Sequence, residues 1–234
     1  MALPKQVRPE YTTTIPSNGK RIKFHPFSVK EEKVLILAAE SQDPDEIANA
    51  VRNCLERCVT TPQFKVDELA LFDIEYLFLK ARSKSAGETI KVVVRDPNDE
   101  TFTVDHDIKI DSIKVEKTKG HTDLIKINDE TTIKMKYPDI SFFENGIDFT
   151  SLQNMTSNVG KCISQIVVGE EVYSRADLSE EEIMDWVEGL TQKDYKKILN
   201  FFETMPRLKH SFTKKNTNND TEFTITLEGL ADFF

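Results

Sequence analysis

Glycine is scarce in this chain, at eight of 234 residues, and no G-x-G-x-x-G, Walker-type or G-x-S-x-G run occurs. Phosphate-cradling loops and nucleophile elbows are built on such glycines, so both readings lose their local signal. Histidine is also sparse: His25, His106, His121 and His210 are scattered, none four residues from another. The paired histidines of a helical metal site are therefore absent. The three cysteines, Cys54, Cys58 and Cys162, are an odd set without a second local pair for zinc. They read as small buried thiols in a reducing compartment. No apolar run approaches the roughly 18 to 20 residues that span a bilayer. The first fourteen residues lack the continuous apolar stretch of a signal peptide, and the expectation is a soluble intracellular protein.

Basic charge is in deficit, with 31 Lys and Arg against 40 Asp and Glu, a net charge of −9. That balance argues against a general nucleic-acid binder, which presents a basic patch. The local clusters Lys20-Arg21-Lys23 and Lys114-Lys117-Lys119 read as solvated strand edges. Contact of the first cluster and Phe24 with nucleic acid stays as a competing reading.

What is present is clear punctuation of helices and hairpins. Ser28 with Glu31 forms a capping box, and Asp43-Pro44 starts a second helix as cap and first helical residue. Ile47, Ala50, Val51, Cys54, Leu55 and Cys58 keep helical spacing in it. A third helix, apolar almost all round, is predicted over about 66–85. Strands are expected over 89–94 and 101–108, joined by the turn Asp96-Pro97-Asn98-Asp99, and then over 110–115, 124–127 and 131–135. Helical spacing returns with Leu152, Met155, Val159, Cys162 or Ile163, and Ile166. Capped helices begin at Ser179 and Thr191, with core faces Ile183, Val187, Leu190 and Tyr195, Ile198, Leu199, Phe202. Strands over 208–213 and 222–227 close the chain, and Asn98–Val104 echoes Asn219–Ile225. The fold class is α+β, with helical N- and C-terminal regions, β-hairpins and a β-rich middle. The organisation expected is a flexible arm over 1–18, a helical region with the first hairpin over 19–110, a β-rich connection over 111–145, and a helical region with the C-terminal hairpin over 146–234.

Catalytic signals are weak. Asp105-His106-Asp107 is the most metal-like cluster, but on a strand its carboxylates and imidazole face opposite sides. A dispersed hydrolytic site from Asp105, His106 and Glu88 is the one enzymatic alternative. Acidic pairs such as Asp73 with Glu75, or Glu180–Glu182, read as helix solvation and dipole compensation. No enzyme, cofactor or metal is expected.

Two motifs carry more. Residues 72–88 read F-D-x-E-Y-L-F-L-x-x-R-x-K-S-x-G-E, and the last eight read L-E-G-L-x-D-F-F. Together with the intervening strands they resemble the baseplate hub assembly proteins of T-even-type tailed phages, from about residue 20 onward. The resemblance implies a morphogenesis factor that binds other baseplate hub or tail proteins in the host cytoplasm during assembly. It also allows a resident subunit of the virion tail baseplate, and self-association as a further mode. Neither nucleic acid nor membrane is implied as a partner. Some relatives carry cysteine pairs at hairpin tips, whereas this chain has Asp96-Pro97-Asn98-Asp99 and Asn216–Asp220 there. In the helix, Phe72, Tyr76 and Leu79 would key into the core, Arg82 and Lys84 would meet the terminal carbonyls, and Gly87 would supply a left-handed cap. Leu230, Phe233 and Phe234 are the partner-binding candidates, since two terminal phenylalanines expose roughly 300–400 Å² of aromatic surface unless they dock.

Overall fold

The computed structural model describes residues 6–142 and 152–229. The side chains of Leu152 and Met155, expected on a core stripe, lie outside that description. Among the described residues the chain forms six α-helices and eleven strands in four small antiparallel sheets, an α+β fold. It divides into two compact units: Met1–Glu116 together with Arg207–Phe234, and Lys117–Pro206.

The first unit opens with a hairpin of β1 (Tyr11–Thr14) and β2 (Arg21–Phe24), paired from Tyr11↔Phe24 to Thr14↔Arg21. Part of the expected flexible arm is thus a paired strand, and the following Ile15 is buried. Helix α1 (Val29–Ser41) begins at the Ser28 capping box, where the Ser28 N–H donates to Glu31 Oε2 at 2.9 Å. Helix α2 (Pro44–Cys58) begins at Asp43, whose carboxylate accepts the N–H groups of Asp45 and Glu46. Its apolar stripe is buried through Ala50, Val51, Cys54, Leu55 and Cys58. The expected long third helix is a short 3-10 turn (Val66–Glu68) followed by α3 (Leu71–Ser83). The break falls where Leu69 and Ala70 adopt extended backbone. Asp73 and Glu75 are buried rather than solvated, and Asp73 Oδ1 accepts the Ser17 N–H at 3.0 Å.

Two hairpins complete this unit: β3 (Thr89–Asp96) with β4 (Asp99–Lys109), and β10 (Arg207–Lys215) with β11 (Glu222–Glu228). Strand β5 (Lys114–Glu116) pairs with β10, so Glu116 faces Arg207 across the ladder and the whole of 117–206 is an excursion between them. The stretch expected as strand over 110–115 begins instead as a 3-10 turn, Ile110–Ser112.

The two hairpin tips share one turn chemistry. The Asp96 and Asn216 side chains each accept the N–H two residues on, at 2.8 Å. Asp99 and Asn219 likewise accept the N–H of Thr101 and Thr221, both at 3.1 Å. Asp220 adopts left-handed backbone, φ +61°. The tips also meet: fully buried Asn216 donates through Nδ2 to Asp96 Oδ2 at 2.8 Å and Asp99 Oδ2 at 3.1 Å. Hydrogen bonds from Thr101 and Asn216 hold the Asp99 carboxyl down to about 2. Further down, Phe102 meets Phe223 edge-on and His106 stacks on Phe212 with ring centroids 3.8 Å apart.

The second unit is a four-stranded antiparallel meander of β6 (Leu124–Lys126), β7 (Thr131–Met135), β8 (Ile163–Val168) and β9 (Glu171–Ser174). It carries α4 (Leu152–Cys162), α5 (Glu180–Glu188) and α6 (Gln192–Thr204). The helical stripe expected to reach Ile166 stops at Cys162, because Ile163–Val168 is rich in β-branched residues and ends in a turn at Gly169, φ +60°. Its core joins Ile133, Met135, Val159, Ile163, Ile183, Val187, Ile198, Phe201 and Phe202. A Cβ at Gly160 would meet Ile183 Cγ2 at 2.8 Å, so only glycine permits this approach of α4 and α5. His121 is held on both ring nitrogens, by Thr204 Oγ1 at 2.9 Å and Tyr137 OH at 3.1 Å.

Asn216→Asp should destabilise the chain by about 2–4 kcal/mol at neutral pH in urea denaturation, since it gathers a third carboxylate where the donor stood. Burial holds the His121 pKa below its ordinary 6.5, so the folded state favours the neutral ring. Its contribution is therefore complete above about pH 6.5 and lost as pH falls through the window beneath, where the unfolded chain takes up the proton first. The urea midpoint should drop more between about pH 7.5 and about pH 5.5 in the wild type than in His121→Gln.

Candidate functional site

Helix α1 is built unlike its neighbours. Its sequence Val34-Leu35-Ile36-Leu37-Ala38-Ala39 is apolar on consecutive positions, so no single face can bury all of it. Of its thirteen residues only Glu31 and Ala38 are buried. Val29, Ile36 and Leu37 are 74%, 57% and 65% exposed. Val29 and Ile36 stand seven apart and share a stripe, with Leu37 beside them. Exposed large apolar residues grouped on one helix are unusual on a solvated surface.

Beside that stripe runs a groove of about 330 Å³ between α1 and α3, walled by Phe27, Leu35, Ile36, Phe78 and Arg82. Phe27 and Phe78 pack ring against ring at 5.2 Å and form its floor. Burial lowers the Arg82 pKa while the nearby Glu32 carboxylate favours the charged form, which places an opposite-charge pair on the wall of an apolar slot. Ser85 secures the end of α3 by donating to the Ala81 carbonyl and accepting the Phe27 N–H at 2.7 Å.

The motif residues of α3 take different places. Phe72 and Leu79 are buried, but Tyr76 is half-buried, its OH accepting from Thr13 Oγ1 at 3.3 Å and its ring lying under Lys80 Nζ. Arg82 lines the groove. Lys84 bonds the Glu88 carboxylate at 2.7 Å. Gly87 does sit at positive φ, +115°, but the helix cap is Lys84 in right-handed backbone, so Gly87 turns the chain toward β3 instead. Leu230, Phe233 and Phe234 lie outside the described residues. The last described residue, Gly229, lies against Glu75, whose Oε1 would be 3.1 Å from a Cβ built there.

Catalytic groupings are thin. His106 is spent on its stack with Phe212, and among the described residues no histidine ring bonds a carboxylate. The closest hydroxyl pair is His121 with Thr204, but Thr204 Oγ1 donates its own proton to the Asn200 carbonyl at 2.6 Å. The imidazole then donates to that oxygen, the reverse of what a base activating a nucleophile requires. Burial pushes the Cys54 thiol up to about 11 and those of Cys58 and Cys162 up to about 12, so none is a nucleophile at neutral pH. No group of three or more His, Cys, Asp or Glu among the described residues is placed to hold a metal ion. No helix among them is long and apolar enough to cross a membrane.

The family model of the T4 bacteriophage base plate protein matches residues 8–234. The chain belongs to that family. No curated protein and no solved structure matches it. Family membership gives the chain a baseplate-related structural or assembly role, and with it a role among other phage baseplate proteins in the virion tail. The exposed face of α1 could not be read from sequence, because consecutive apolar residues do not say which of them a neighbour covers.

Because Ile36 and Leu37 face solvent, Ile36→Glu with Leu37→Glu should move stability by no more than about 0.5 kcal/mol. Leu77→Ala, at a fully buried position on α3, should cost about 2–5 kcal/mol in the same urea titration.

Proposed function

We propose that this baseplate family member acts by protein–protein binding during assembly of the baseplate hub in the host cytoplasm, with no covalent chemistry of its own. The observation that carries this reading is the apolar face of α1, where Val29, Ile36 and Leu37 stand exposed beside the α1–α3 groove. The occupant would be an apolar segment of another hub or tail protein, with the Glu32–Arg82 pair at the wall fixing its orientation. An isolated helix face of this composition would be a liability in a free-standing protein, and burying it against a partner removes the exposed apolar area. Leu230, Phe233 and Phe234 remain candidates for the same contact. They follow Gly229, which lies beside Glu75, one helical turn from the groove residue Phe78. A resident hub subunit fits the same surface, and mass spectrometry separates the two: fixed stoichiometry in purified virions identifies a resident, and presence in lysate alone a departing assembly factor.

Complementation of a phage lacking this gene tests the reading. Ile36→Glu with Leu37→Glu should lower the yield of infectious particles by about tenfold or more while the purified protein stays folded. Deleting Leu230–Phe234 should also impair assembly. A normal yield from the α1 variant would remove α1 as the docking face. If the truncation instead lowers stability with yield falling in proportion, the tail serves its own chain rather than a partner.

A further inference from the structure

A basic groove lies in the second unit of this acidic chain. A groove of about 710 Å³ runs between the segment Lys119–Lys126 and helix α6. Lys119 and Lys126 stand on one wall and Lys193, Lys196 and Lys197 on the other, with no Asp or Glu in the lining. Positions 193, 196, 197 and 200 are spaced i, i+3, i+4 and i+7, so helical geometry places them on one face of α6. Two of the lysines are partly committed: Lys126 pairs with Asp129 and Lys197 with Asp194, both at 2.8 Å. Lys197 also donates to the Ile127 carbonyl, which joins α6 to the end of β6. Lys119, Lys193 and Lys196 make no ion pair with any described residue. Lys193 lies near enough to Asp194 to lower its pKa, and Lys119, Lys193 and Lys196 share this groove, where an incoming anion would relieve their mutual repulsion.

We propose that this groove is a binding site for an acidic polypeptide segment. Its volume falls in the range of formed ligand sites and is large enough for several side chains. The floor is apolar, from Ile125 and Phe201, and Leu124 at the rim is 54% exposed, which suits a segment that mixes carboxylates with an aliphatic residue. Single-stranded nucleic acid is a poorer match. Phe201 is buried, and His121 is stacked by Tyr137 and Phe201 with both ring nitrogens bonded, so no ring is open for a base to stack on. The hydrogen bonds of His121 to Thr204 and Tyr137 fix the loop that carries Lys119, which preforms the groove. This site is separate from the α1 face and goes beyond the assembly role, and its test reads binding by the purified chain rather than phage yield.

Fluorescence anisotropy with the full chain and a labelled ten-residue peptide of glutamates interrupted by one leucine tests it. The peptide should bind, and affinity should fall by about tenfold between about 50 mM and about 200 mM NaCl. Lys193→Glu with Lys196→Glu should weaken binding by about tenfold or more without changing the thermal melt. Lys91→Glu with Lys109→Glu, the same charge change on exposed lysines of the first unit, should leave binding unaltered. Absence of peptide binding at low salt overturns the proposal. Equal weakening by the second pair also overturns it, because attraction would then belong to overall charge. A labelled ten-nucleotide single strand binding at least as tightly as the peptide overturns it in favour of nucleic acid.

Discussion

The pairing of β10 with β5 is the contact on which the chain's organisation depends. Arg207 meets Glu116 in that ladder, so everything from Lys117 to Pro206 is enclosed between two adjacent positions of the first unit. Closing so long a loop costs only slowly growing entropy, and the cost is offset by what β10 brings with it. Strand β10 carries β11, and their hairpin packs on the β3–β4 hairpin through Phe102 with Phe223 and His106 with Phe212. At the tip the buried Asn216 amide joins the two turns by donating to both Asp96 and Asp99. A hydrogen-bonded amide between carboxylates does the joining. That junction tolerates no lost donor.

Helix α1 shows how a family role and a physical anomaly support each other. A helix capped as well as this one, with Ser28 and Glu31 answering each other's backbone groups, has no need of its apolar residues for local stability. Its exposed Val29, Ile36 and Leu37 gain nothing within the chain. Membership of the baseplate family implies contact with other baseplate proteins, which a surface of that kind suits. The His106 ring is stacked, His121 is bonded on both nitrogens, and the three thiols are buried and protonated.

Much of the local structure was legible from residue order. The caps at Ser28, Asp43, Ser179 and Thr191 stand where their side chains predict, because capping is satisfied within four residues. The turn at Asp96-Pro97-Asn98-Asp99 and the burial of Cys54 and Cys58 on one face of α2 follow from the same short-range rules. The errors came where periodicity was ambiguous. Ile163 and Ile166 fit a helical stripe and an alternating strand equally well, and pairing with Met135 and Ile133 on β7 decided for the strand. Tyr76 sits at core spacing on α3 yet lies half-buried beside Thr13, since its face meets the thin β1–β2 hairpin.

By itself the sequence determined the helix starts at the capped positions, most of the strands and turns, the absence of glycine-built nucleotide loops and of histidines paired at helical spacing, and the α+β class. Those features depend on neighbours within a turn or a hairpin, where residue type decides geometry directly. Only the tertiary structure decided that the C-terminal hairpin belongs with the N-terminal half, that Asn216 lies between two aspartates, and that α1 turns its apolar residues outward. It alone gathered Lys119 and Lys126 opposite Lys193 and Lys196. Each of these joins residues far apart in the chain, and such contacts are set by the sum of packing across the whole unit, which no local pattern encodes.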